Sequence, residues 1–132
     1  EQLTTLKQEA GEALRSFQPF AIRLTEIALG PPERLPTMVW VIAEADPEPA
    51  ATDLAAALLR AARAAGVDPP NADRRFHLHL TLGRATGPHL KGTPIAANPE
   101  ATFVAEHVDL MESTLTPEGP DYRLIESLPS VV

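Results

Sequence analysis

Arg75-Phe76-His77-Leu78-His79-Leu80-Thr81-Leu82-Gly83-Arg84 holds the residues of this chain best suited to chemistry. Leucines and polar side chains alternate there with period two, the pattern of a half-buried strand. Phe76, Leu78, Leu80 and Leu82 fall on one face, His77, His79 and Thr81 on the other. The apolar face is expected to seal a core, and the polar face to show two imidazoles and a hydroxyl to a cleft. Gly83 keeps the strand end slim, and Arg84 stands at its exit. Neutral imidazole takes a proton from water, and imidazolium gives one to a leaving oxygen. A threonine hydroxyl and a guanidinium donate hydrogen bonds to phosphate oxygens. Two positions apart on a strand, His79 and Thr81 would stand about 6–7 Å from each other. The row has the make-up of half a phosphoesterase site. His-x-Thr by itself is a weak motif, and a histidine on an exposed strand face usually has no catalytic role.

The charge distribution points the same way. The chain of 132 residues carries a formal net charge of −7, which argues against broad binding to a nucleic-acid backbone. From Arg74 to Pro99, however, there is no Asp or Glu, while Arg74, Arg75, Arg84, Lys91, His77, His79 and His89 all lie in that stretch. One locally positive segment in an acidic protein suits a small anionic ligand held at a focused site. Chance clustering on a solvated loop is the bland alternative.

Other chemistries find less support. His77-x-His79, with His89 in the following loop, could ligate zinc from one side of a strand. No acid lies nearby in sequence to complete the set, and a solvated role suits His89 better. Ser113 and Ser127 lack the Gly-x-Ser-x-Gly context of a nucleophile elbow. Neither Gly-x-x-x-x-Gly-Lys nor Gly-x-Gly-x-x-Gly occurs, so ATP or NAD chemistry is unsupported, and no cofactor is expected. The chain has no cysteine, which excludes disulfides and thiolate metal sites. No apolar run approaches the roughly 20 residues of a membrane span, and no signal peptide is visible. A cytoplasmic monomer with no membrane partner is expected.

The elements that must position this row can be placed from periodicity. Leu3, Leu6, Ala10, Ala13, Leu14 and Phe17 have helical spacing, predicting a helix over 2–16 that Pro19 stops. Phe20, Ile22, Leu24 and Ile27-Ala28-Leu29 predict a strand ended by Gly30-Pro31-Pro32. Met38 to Ala43 is a continuous apolar run, expected as a central strand with Trp40 in the core. Pro47, Pro49 and Ala50 read as a linker, after which Thr52 or Asp53 caps a helix with the stripe Leu54, Leu58, Ala61, Ala62 and Ala65. Gly66 suits a left-handed C-terminal position, and Pro69-Pro70 prevents continuation. The histidine strand follows at about 75–84, then a surface loop over 85–100. Residues 103–110 predict one strand, Glu118-Gly119-Pro120 a turn, and Tyr122 to Ile125 the last strand. Tyr122 is a candidate substrate contact, with a structural hydroxyl as the competing role. The order helix, two strands, helix, three strands favours a single α+β domain over 1–132 with a mostly antiparallel sheet and two main helices.

The wider pattern resembles a known family. Phe76-His77-Leu78-His79-Leu80-Thr81-Leu82-Gly83-Arg84 is similar to the second signature of the two-histidine (2H) phosphoesterases, most of all their 2′-5′ RNA ligase (RNA 2′,3′-cyclic phosphodiesterase) group. That signature reads Phe-x-Pro-His-hydrophobic-Thr-Leu-Ala/Gly-Arg, and here Leu78 stands where proline is usual. Pro19-Phe20 with its strand, Val39-Trp40 in the next, and the tail from Leu110 to Tyr122 (Leu-x-x-Ser-x-Leu-x-Pro-x-Gly-x-x-Tyr) extend the resemblance over nearly the whole chain.

The resemblance implies a two-lobed architecture and metal-independent hydrolysis of 2′,3′-cyclic phosphates at RNA or nucleotide ends, with 2′-5′ joining as a possible reverse activity. One histidine would act on water and a second would protonate the departing ribose oxygen. His79 and Thr81 would be catalytic, and Arg84, His77 and Tyr122 would be substrate contacts. Family members carry two His-x-Thr motifs, and this chain has one. The sequence, which begins at Glu1, is expected to lack the N-terminal strand bearing the first. A one-histidine relative that binds RNA ends or nucleotide phosphates without cleaving them is the alternative.

Overall fold

The computed structural model describes residues 1–85 and 99–129. The expected loop over 85–100, with His89 and Lys91, lies almost wholly outside them. The chain divides into two compact units. One comprises Glu1–Pro19, Asp53–Asp73 and Ala105 onward, the other Phe20–Thr52 and Arg74–Val104.

The first unit is built on helices. α1 runs Gln2–Ala13 and tightens into a 3₁₀ turn over Leu14–Ser16, so the expected helix over 2–16 is present. Its apolar stripe buries Ala10, Leu14 and Phe17. Leu14 is only 1% exposed, and burial on that scale is worth roughly 1.5–3 kcal/mol. α2 runs Pro49–Ala64. It begins earlier than the expected cap at Thr52 or Asp53, because proline is at ease in the first turn of a helix, where its missing N–H would be unpaired anyway. Ala51, expected just after a linker, is buried as a result. The far end matches its sequence signal. Gly66 adopts φ +79°, its N–H donates to the Arg63 carbonyl, and the Val67 N–H donates to the Ala62 carbonyl. Two carbonyls that would end the helix unpaired are thereby satisfied. The Gln2 side chain also donates to the Gly66 carbonyl at 3.0 Å, tying the start of α1 to the end of α2.

The second unit holds a four-stranded sheet. β1 is Phe20–Gly30, β2 Met38–Asp46, β3 His79–Arg84 and β4 Ala101–Ala105, in the order β3-β2-β1-β4. β2 is an interior strand, as its apolar run predicts, and pairs antiparallel with both neighbours. The stretch 103–110, expected as one strand, is divided at Glu106. β4 joins this sheet, and β5 (His107–Thr116) forms a separate antiparallel hairpin with β6 (Gly119–Pro129) in the first unit. The two-residue turn at Pro117–Glu118 is followed by Gly119 at φ +124°, a conformation that L side chains rarely adopt. The molecule is α+β with two helices and a mostly antiparallel sheet. Among the described residues no helix is long and apolar enough to cross a membrane.

Register sorts the sheet into two faces, because partners across an antiparallel ladder point the same way. One face carries Ile22, Leu24, Ile27, Leu29, Val39, Val41 and Leu80. The other carries Arg23, Ala28, Gly30, Met38, Trp40, Ile42, His79 and Thr81. The predicted division of the histidine strand is seen for His79, Leu80 and Thr81, whose register is regular. The predicted burial is not: Phe76, Leu80 and Leu82 are 46%, 46% and 58% exposed, while His77 and His79 are half-buried. The reason is position. Among the described residues β3 is an edge strand, with a neighbour on one flank only, so its leucines are half covered even on the apolar face.

Candidate functional site

β3 is shorter than the alternation suggests, starting at His79 rather than near Arg75. Pairing still reaches one step further back, since the Ala43 N–H donates to the Leu78 carbonyl at 3.1 Å. Before it, the His77 carbonyl accepts a hydrogen bond from a side chain. His79 Nδ1 lies 2.6 Å from that oxygen. A carbonyl only accepts, so Nδ1 must carry a proton. In the neutral ring, Nε2 is then the nitrogen with the lone pair, and in the charged ring Nε2 is the acid. The strand's own backbone thus assigns the two ring nitrogens distinct roles.

The imidazole plane is fixed as well. His79 stacks on Trp40, with ring centroids 3.8 Å apart and planes inclined by 19°. Trp40 is 4% exposed. Its neighbours across the ladder are Ala28 on β1 and Thr81 on β3, so the hydroxyl is on the same face as the stacked rings. Thr81 is exposed.

His77 sits at 5.8 Å from Trp40 with its ring tilted by 48°. Its Nε2 donates to Glu33 Oε1, a residue of the β1–β2 loop. That hydrogen bond, helped by the charge of Arg75, holds the Glu33 carboxyl below its ordinary value. His77 is therefore occupied by a carboxylate. A pocket of about 400 Å³ opens beside it, lined in part by Phe76, Ile42, Thr52, Glu44 and Glu48. Two carboxylates make it a poor place for phosphate. Glu44 is itself paired with Arg23.

Arg84 reaches the site by a departure from strict alternation. Period two puts residue 84 on the face opposite His79 and Thr81. In the structure the ladder slips between Val39 and Trp40: Trp40 partners Thr81, whereas Val39 partners Gly83 and Met38 partners Arg84. Leu82 is the extra residue. Met38 and Trp40 are two apart on one face, so Arg84 joins the row of His79 and Thr81. Bulges are known to re-aim a side chain in this manner. Gly83 has open space where a Cβ would be, so the strand end needs no slimming.

The structure thus brings His79, Thr81 and Arg84 onto one face, with His77 at its start. Tyr122 is carried by the other unit. It lies on β6 in the first unit, opposite Ser113, and is 61% exposed. Among the described residues no group of three or more His, Asp or Glu could hold a metal ion, and His89 lies outside them. Two site residues escaped the sequence. Trp40 sits in an apolar run that reads as core, and only the register puts it under His79. Glu33 is 44 positions from its partner and carries no local signal.

A sequence model of the 2'-5' RNA ligase superfamily matches residues 1–116. The chain belongs to that superfamily. A search of curated protein sequences finds no match. Among solved structures, the chain is similar to TT0787 of Thermus thermophilus, with a TM-score of 0.75 and 25% identity, over 98% of this chain and 70% of that one. Membership of the 2'-5' RNA ligase superfamily supports phosphoesterase or RNA-ligase-like chemistry on RNA or nucleotide substrates.

Proposed function

We propose that this superfamily member hydrolyses 2′,3′-cyclic phosphates at RNA or nucleotide ends to a phosphomonoester. The observation that carries the reading is the fixed tautomer of His79, with Thr81 and the bulge-directed Arg84 in the same row. His79 Nε2 either takes the proton of an attacking water or gives one to the departing ribose oxygen. Thr81 and Arg84 donate to the non-bridging phosphate oxygens, where negative charge grows in the transition state. No step in this scheme calls on a metal ion or a cofactor.

An in-line displacement needs a proton acceptor on one side and a donor on the other. His79 serves one side. The second group belongs to another His-x-Thr motif, which residues 1–132 do not contain. Joining of RNA ends in the 2′-5′ sense is the same displacement with a ribose 5′-hydroxyl in place of water: the new P–O bond forms to that oxygen, and the 3′ oxygen leaves and takes up a proton. The single His-x-Thr also favours a second reading, a module that holds RNA or nucleotide phosphate ends without cleaving them.

The test is an RNA oligonucleotide ending in a 2′,3′-cyclic phosphate, incubated with these residues joined to any coding sequence preceding Glu1. Phosphorus NMR of the products is the readout. A monoester is expected. A bound but unchanged cyclic phosphate would leave the binding module as the better account.

A further inference from the structure

We infer that Trp40 and Gly30 are positioning residues for His79: the indole is a platform that fixes the imidazole plane, and the glycine is the space that lets the platform lie flat. The inference rests on the reading of His79 as a proton-transfer group. Gly30 is on β1 and His79 on β3, so they approach Trp40 from opposite flanks of β2. A Cβ built on Gly30 would stand 2.2, 2.5 and 2.6 Å from indole Cδ2, Cε2 and Cε3. The shortest distance is to the middle atom of the three, which places that point over the face of the ring. Any side chain at 30 would push the indole away. The next residue on this face of β1, the cross-strand partner of Trp40, is Ala28, which is also small. β1 thus leaves a shallow bed, the indole fills it, and the imidazole lies on the indole at 3.8 Å.

The ring is held there at a cost. The indole Nε1 is buried with no hydrogen-bond partner among the described residues, and an unsatisfied buried donor is unfavourable. A phenylalanine would fill an apolar strand without that penalty. What the smaller ring lacks is the greater π-surface, and the stronger attraction for a cation, that the indole offers to a stacked imidazole. A large flat π-system also favours a cation above it, so the stack couples the charge on His79 to the indole.

That coupling supplies the test. Trp40 is the sole tryptophan of the chain, and a stacked imidazolium quenches indole emission. The other titratable and charged groups on this face include His77, which is 5.8 Å from Trp40, its partner Glu33, with Arg75 near the latter, Arg84 opposite Met38, and Glu26 opposite Ile42. On acidification the emission of the wild-type chain is expected to fall in a single step as the stacked imidazole takes up a proton. His79→Gln should abolish the transition, and His77→Gln should leave it in place. Gly30→Ala should shift the emission to the red and weaken the transition. In the active protein it should also lower kcat about tenfold or more with KM little changed.

A wild-type emission flat in pH, or a transition that survives His79→Gln, would overturn the inference. So would a folded Gly30→Ala with unaltered emission and kcat. If Gly30→Ala does not fold, the comparison of wild type with His79→Gln still decides. Loss of the optical transition in His79→Gln with no effect of His79→Ala on turnover would sustain the stack and refute the catalytic reading.

Discussion

Two nitrogens of one imidazole carry most of the account. His79 Nδ1 donates to the His77 carbonyl, which leaves Nε2 as the nitrogen that the proposed reaction uses. In the active protein His79→Ala should lower kcat by at least about 10²-fold, measured in steady state at saturating cyclic phosphate. Thr81→Ala should be milder, because it removes one hydrogen bond to phosphate and leaves the proton path standing. Both residues could be named from the sequence, since a histidine and a hydroxyl two apart on a strand share a face. Trp40 and Glu33 could not, because their roles depend on register and on a loop far away in the chain. The Glu33 pair makes a separate prediction. The hydrogen bond from His77 lowers the Glu33 carboxyl from 4.5, so its folded value lies below its unfolded one. The stability it contributes is present above pH 4.5 and is lost as pH falls through the lowered value. Glu33→Gln should therefore reduce the urea midpoint slightly at pH 7 and converge with wild type at low pH. An equal difference at both ends would rule out this pairing.

At the scale of the element, β3 is governed by its edge position and by one bulge. A strand with a neighbour on one flank cannot bury its leucines fully. Leu80→Ala should cost only ~1 kcal/mol, less than Leu14→Ala, where loss of a side chain 1% exposed should cost roughly 2–5 kcal/mol. Urea denaturation of the two variants checks the order. The bulge is tested by deleting Leu82. With the extra residue gone, strict alternation places Arg84 two positions after Thr81, on the same face and still opposite Met38. Nucleotide binding close to wild type is the expected result for the deletion, against a clear loss for Arg84→Ala, and a deletion that weakens binding as much as Arg84→Ala would rule out Leu82 as the extra residue. Helix α1, strand β2 and the left-handed Gly66 were all legible, since each rests on local periodicity or a single backbone demand. The bulge was not, because it is a property of two strands together. The division at Glu106 was hidden for the same reason: β4 and β5 share an alternating pattern and differ only in the strands they meet.

For the molecule as a whole, the site described belongs entirely to the sheet unit. The face that bears it mixes buried Met38 and Trp40 with polar His79, Thr81 and Arg84, and the net charge of −7 is relieved locally by the acid-free stretch from Arg74 to Pro99. Superfamily membership and the fold shared with TT0787 accord with the architecture that the signature and tail implied. The activity was legible only as a class, because residue types name an acid/base and a phosphate clamp but not the ester between them. Acid and base catalysis are each worth roughly 10²–10⁴-fold. The 132-residue chain, with one His-x-Thr, should therefore turn over cyclic phosphate at least about 10²-fold more slowly than a protein that also carries the second motif. The most direct measurement is the rate of nucleoside 2′,3′-cyclic phosphate hydrolysis in EDTA by these residues joined to any coding sequence preceding Glu1, wild type against His79→Ala. The account predicts undiminished wild-type turnover in the chelator and its near loss in the variant. It is contradicted if His79→Ala keeps the wild-type rate, or if EDTA stops the wild type and zinc restores it.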